Sequence, residues 1–263
     1  MDWKAYLGDH NEKPLDRIPT DGGFCGIFRT IGCIGDSLSS GEFESLDRQG
    51  QVGYHDYFDY SWGQYLARAV GSKVYNFSRG GMSAREYWNS FAEQNHFWDE
   101  DKLCQAYILA LGVNDISQYP LGSLEDAAPS RQTDDIGTFA GYYSKIIRRY
   151  QTMQPRARFF LMTMPRKGDA GFDDMAAQHA ALLHDLAGTL ENTYVLDLYQ
   201  YAPVYDLEFR QKFYLGGHMN PAGYLLTARM VAAYIDFIVR HHMEDFAQTG
   251  FIGTELYHRD AKW

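Results

Sequence analysis

Cysteine is scarce in this chain, and what there is does not pair. Cys25, Cys33 and Cys104 form no C-x-x-C, and an odd count closes no disulfide framework. They read as reduced core thiols, which makes the cytoplasm the default compartment. Long apolar runs are also missing; none approaches the ~20 residues needed to span a bilayer. The polar opening has no basic stretch leading into an apolar one, so no signal peptide is expected. Positive charge is in deficit: 24 Lys and Arg face 34 Asp and Glu, a formal net charge of −10. Such a surface repels phosphate backbones and anionic lipid, so nucleic acid and membrane are not expected as partners. No G-x-G occurs, which removes the dinucleotide fingerprint, and no P-loop or G-x-S-x-G elbow is present. No H-E-x-x-H occurs, and His179 and His184 stand five apart rather than four. No metal and no cofactor is therefore expected. Repeats, low-complexity tracts and Pro/Gly/Ser linkers are absent too. One domain over 1–263 follows, with the polar, turn-rich stretch 1–23 wrapping its surface.

What is present is an alternation. Five short apolar runs read as buried strands: Thr30–Ile34, Val74–Phe77, Ala106–Leu111, Arg158–Thr163 and Tyr194–Leu198. Helical spacing lies between them. Trp62, Tyr65, Leu66 and Ala69 share one face, as do Ile136, Phe139, Ala140, Tyr143, Ile147 and Tyr150. A third helix is expected from about Asp173 to Leu190. A last one carries Leu226, Met230, Ala233, Phe237 and Ile238, with Asn220 as cap and Pro221 at its first position. Strands alternating with helices imply an α/β fold, a parallel sheet covered on both faces. In such sheets ligands bind beyond the carboxyl ends of the strands.

Three segments sit just after strands, and a fourth just ahead of the last helix. Ser37 follows the first in Gly35-Asp36-Ser37-Leu38. That position exposes a hydroxyl and aims a helix's positive end at it, although an isolated serine there reads first as a helix cap. Gly80-Gly81 follows the second strand, where glycine lets backbone N–H groups approach a ligand. Gly112-Val113-Asn114-Asp115 follows the third and offers an amide donor. His218 stands ahead of the last helix in His218-Met219-Asn220-Pro221-Ala222-Gly223-Tyr224. Asp36 and Asp115 are read as loop braces.

These four blocks, in this order, resemble the SGNH (GDSL) hydrolases. The resemblance implies a three-layer, flavodoxin-like fold with a five-stranded parallel sheet in the order 2-1-3-4-5. It implies ester hydrolysis through an acyl-enzyme on Ser37, with His218 as general base. The oxyanion donors would be the N–H groups of Ser37 and Gly81 and the amide of Asn114. One position departs. The family places an aspartate three residues before the histidine, and here Leu215 stands there. Either the Leu215 backbone carbonyl orients the imidazole in a dyad, or an acid from elsewhere does so, Asp197 first, with Asp206 and Glu208 behind it; otherwise the enzyme is weak or silent.

Aromatics are 16% of the chain and crowd into Tyr54-His55-Asp56-Tyr57-Phe58-Asp59-Tyr60-Ser61-Trp62. Tyr54, Tyr57 and Tyr60 are candidates to stack on a sugar, set against packing of the next helix. The expected substrate is thus a small-molecule or glycan ester bearing a short acyl group, acetyl foremost. The rivals are a lipase or thioesterase for longer chains, and a silent carbohydrate-binding module on the same fold.

Overall fold

A computed structural model describes residues 3–9, 11–131 and 137–257. His10, the Asp134-Asp135 charge pair, Ile136 and His258 lie outside the described residues. Among the described residues nine strands follow one another: β1 (Thr30–Gly35), β2 (Glu42–Leu46), β3 (Val52–Asp56), β4 (Lys73–Ser78), β5 (Ala106–Ala110), β6 (Arg158–Met162), β7 (Thr193–Leu196), β8 (Tyr214–Leu215) and β9 (His218–Met219). The central sheet runs β4-β1-β5-β6-β7. Counting its five strands along the chain, this is the expected order 2-1-3-4-5. Every pairing in it is parallel. β1 and β5 are buried almost throughout, as a parallel sheet covered on both faces requires.

Two apolar layers cover the sheet. Phe139, Tyr143, Ile147, Leu183 and Leu186 pack one face. Trp62, Leu66, Tyr224, Val231 and Ile235 pack the other. Helices form where the spacing predicts, and side chains close their first turns. Ser61 caps Trp62–Val70, Thr138 caps Phe139–Met153, Asp169 caps Ala170–Thr189 and Asn220 caps Pro221–His241. The last of these is apolar and long enough to cross a membrane, but most of it is buried in the core. The three cysteines are buried, and loss of solvation pushes the Cys25 thiol up to about 12.

The N-terminal segment is fastened to that last helix. Arg240 pairs with Glu12 at 2.7 Å and with Asp236 at 2.8 Å, and also donates to the Leu7 carbonyl. Two small ribbons complete the chain, β2-β3 and β8-β9, both antiparallel. Neither was predicted from the sequence, and both lie at the functional end.

Candidate active site

Sheet register gathers the first three blocks. Gly35 pairs with Ser78 on one side and with Ala110 on the other, so the segments leaving β1, β4 and β5 emerge side by side. Asp36 caps the turn after β1, its carboxylate accepting from the Leu38 N–H at 3.0 Å. The helix that follows is only Ser37–Ser40, stopped by Gly41 in the left-handed region at φ 82°. A helix this short contributes little dipole, so the positive field expected at Ser37 is small. Asp115 braces the other two blocks by accepting from the Ala84 N–H at 2.8 Å. Burial raises Asp36 to about 6 and Asp115 to about 7. Both are loop braces, as expected.

The Asn114 amide donates to the Met82 carbonyl at 3.1 Å, which ties the third block to the glycine loop and leaves its second N–H for another acceptor. Gly81 adopts φ 71° with open space above it. No described protein group accepts from the N–H of Ser37 or Gly81. Ser37 and His218 line one cavity of about 190 Å³. Gly81 faces a neighbouring shallow groove with Ser83 and Tyr119. Among the described residues no hydrogen bond joins Ser37 to His218; such bonds are often long before substrate binds.

The carboxylate that meets the His218 imidazole is that of Glu44. His218 Nδ1 lies 2.7 Å from Glu44 Oε1, and the Gly217 N–H donates to the same oxygen at 2.6 Å. A carboxylate accepts, so Nδ1 carries the proton and the Nε2 lone pair is free to act as base. Glu44 reaches the site on the β2-β3 ribbon. Side chains two apart on a strand share a face, so Glu42 also comes to His218, its Oε1 3.7 Å from Nε2. Burial raises Glu42, and the neighbouring imidazole opposes the rise. The turn ahead of His218 fits this carboxylate closely. Gly216 has φ 71°, and a Cβ on Gly217 would stand 2.6 Å from Glu44 Oε1.

Both expected orienters are therefore corrected. Leu215 is exposed and pairs with His218 across the β8-β9 ribbon, while the imidazole Nδ1 goes to Glu44. Asp197 caps Leu198–Tyr201 and holds His184 Nε2 at 2.8 Å. It follows β7, the edge strand, three places along the sheet from β1. Asp206 caps the helix Leu207–Phe213, and Glu208 pairs with Lys212. The aromatic cluster divides. Tyr54 meets the edge of the His218 ring at 5.9 Å between centroids. Tyr57 and Tyr60 pack edge-on against Phe43, and none of the three lines the Ser37 cavity.

Residues 33–226 match the GDSL-like lipase/acylhydrolase family. The chain belongs to that family. Solved structures show the same fold. A family two carbohydrate esterase from Clostridium thermocellum superposes with TM-score 0.57 at 16% identity, over 82% of this chain and 65% of that one. A carbohydrate esterase family 2 enzyme with a carbohydrate binding domain, from Corynascus thermopiles (Myceliophthora fergusii), gives 0.55 at 16%, over 79% and 65%. A possible lipase from Chitinophaga pinensis gives 0.52 at 17%, over 81% and 98%. This GDSL hydrolase thus spans about two thirds of the two carbohydrate esterases. No curated protein matches it.

Proposed function

We propose that this GDSL hydrolase is a serine esterase that removes short acyl groups, acetyl foremost, from carbohydrate or other small polar esters. The observation that carries the reading is the 2.7 Å contact of Glu44 with His218 Nδ1, beside a cavity shared with Ser37. The Ser37 Oγ attacks the ester carbonyl carbon while His218 Nε2 takes its proton. The N–H groups of Ser37 and Gly81 and the Asn114 amide receive the developing oxyanion. Collapse expels the alcohol, which leaves with the proton from His218. Water then attacks the acyl-serine by the same route, releasing the acid and restoring Ser37. Glu44 holds the imidazole tautomer and stabilises the imidazolium between these transfers.

The small cavity favours a short acyl group over a long chain. The exposed Tyr54 ring beside His218, and the carbohydrate esterases among proteins of this fold, favour a sugar on the alcohol side. A carboxylate behind His218 removes the motive for a silent module. The test is hydrolysis of p-nitrophenyl esters from acetyl to decanoyl, by wild type, Ser37→Ala and His218→Ala, with folding checked by circular dichroism. Turnover highest for acetyl and abolished in both variants is expected. Activity peaking on long chains, or surviving in Ser37→Ala, would overturn the reading.

A further inference from the structure

The cavity that holds Ser37 and His218 also receives two cations, Lys167 and Arg210, from separate elements. Lys167 lies in the loop after β6, and Arg210 lies in the helix Leu207–Phe213. Among the described residues neither forms an ion pair with a carboxylate. Lys167 Nζ sits 3.7 Å from the centre of the Phe172 ring, and Arg210 makes a long 3.5 Å contact with the Gly216 carbonyl. The nearby acids are otherwise engaged. Asp173 accepts from the N–H groups of Lys167 and Gly168, Asp169 caps the helix that follows, and Asp36 caps the Ser37 turn. Two unpaired cations converging on one small cavity stand out in a chain of net charge −10.

We propose that Lys167 and Arg210 bind a carboxylate on the ester substrate, so that this esterase prefers anionic esters. The inference rests on the proposed esterase activity and names its substrate class. Guanidinium offers a planar fork to a carboxylate, and the ammonium adds a point charge. The rest of the lining includes Leu38, Val113, Met164 and Phe172, a setting in which a singly charged carboxylate costs less to desolvate than a phosphate dianion. Desolvation, followed by repulsion from Arg210, pushes the Lys167 ammonium below its usual range against the weaker pull of Asp36, Asp169 and Asp173, and the charge of a bound anion would offset the fall. The carboxylate arrives either on the acyl part, as in a dicarboxylic half-ester, or on the alcohol part, as in the ester of an acidic sugar.

Two matched pairs separate these sources. The acyl arm compares p-nitrophenyl hydrogen glutarate with p-nitrophenyl butyrate; the alcohol arm compares para-acetoxybenzoate with para-acetoxybenzamide. In wild type, kcat/KM should favour the charged member of one pair by about 10- to 100-fold, the value of a charge-assisted hydrogen bond. That ratio should fall toward one in Lys167→Gln and Arg210→Gln and be kept in Lys167→Arg. Equal turnover within both pairs, or a preference that survives Lys167→Gln with Arg210→Gln, would overturn the inference while leaving the esterase reading intact. Calorimetric titration of wild type and the double variant with glutarate and para-hydroxybenzoate reads the site without catalysis. If no ester is hydrolysed, the esterase reading fails and this titration decides alone. Binding of either anion to wild type and not to the double variant supports the cationic site, and no difference between them rejects it.

Discussion

Two carboxylate–histidine pairs of nearly equal length lie in this molecule: Glu44 with His218 at 2.7 Å and Asp197 with His184 at 2.8 Å. Distance does not separate them; surroundings do. The His218 side chain is 17% exposed and borders a cavity shared with a serine, whereas that of His184 is 53% exposed and lies outside that cavity. Asp197 spends its other oxygen on Thr163 and on the Gln200 N–H. Glu44 gathers His218 and the Gly217 N–H on one oxygen, fixing both the ring and the turn that carries it. In the proposed mechanism the first pair orients a base. The second caps a helix at the sheet's edge and is screened by water.

The comparison is most sharply tested by neutralising each acid. Glu44→Gln is expected to lower kcat on p-nitrophenyl acetate by up to about 10⁴-fold with little change in KM, because the imidazolium loses its counter-charge. A loss below threefold would return the site to a dyad. Gly217→Ala should force the Glu44 carboxylate away and lower kcat by about 10- to 100-fold with the fold retained, since misplacing a catalytic group by about an ångström has that cost. Asp197→Asn should leave kcat within about twofold but cost about 1–3 kcal/mol in urea unfolding, because a buried acceptor set is disturbed. If Asp197→Asn instead matched Glu44→Gln in kcat, the two pairs would have been assigned the wrong way round.

The smallest effect concerns pH. Asp36 and Asp115 bind protons more tightly folded than unfolded, so their contribution to stability is full below the ordinary aspartate range. It is lost as pH rises through about 6 and about 7. The thermal midpoint should therefore fall between about pH 4 and pH 8. Asp115→Asn, which keeps the acceptor for the Ala84 N–H, should flatten that fall by several degrees in calorimetric scans.

Most of the sheet was legible because its strands are apolar runs bounded by turns, and the strand order came with the family blocks. The fifth strand was read to Leu198 but ends at Leu196, since Asp197 turns its side chain to cap the next helix. Ser37, Gly81, Asn114 and His218 stand out in the sequence because each follows a strand or precedes a helix in a known block, and the structure puts Ser37 and His218 on one cavity. Glu44 does not. It lies on a largely solvent-facing ribbon with no apolar run to announce it. The signal available was the Glu42-x-Glu44 alternation before an Asp47-Arg48-Gln49-Gly50 turn. Topology alone points to the end of the fifth strand for a carboxylate, whereas the ribbon that follows the short Ser37–Ser40 helix is what brings one to His218.

Glu44 and Tyr54 are direct partners across the β2-β3 ladder, and both touch His218. One rung therefore carries the acid behind the imidazole and the ring at its edge. A slip of one residue in that ribbon would turn both away together, since neighbouring strand positions face opposite sides. The outer turn, where the Asp47 carboxylate accepts from the N–H groups of Gln49 and Gln51, sets the ribbon's phase from a distance. Length changes in this exposed turn are tolerable only in steps that preserve the phase, so an ordinary-looking surface loop acts as the timing mark of the active site.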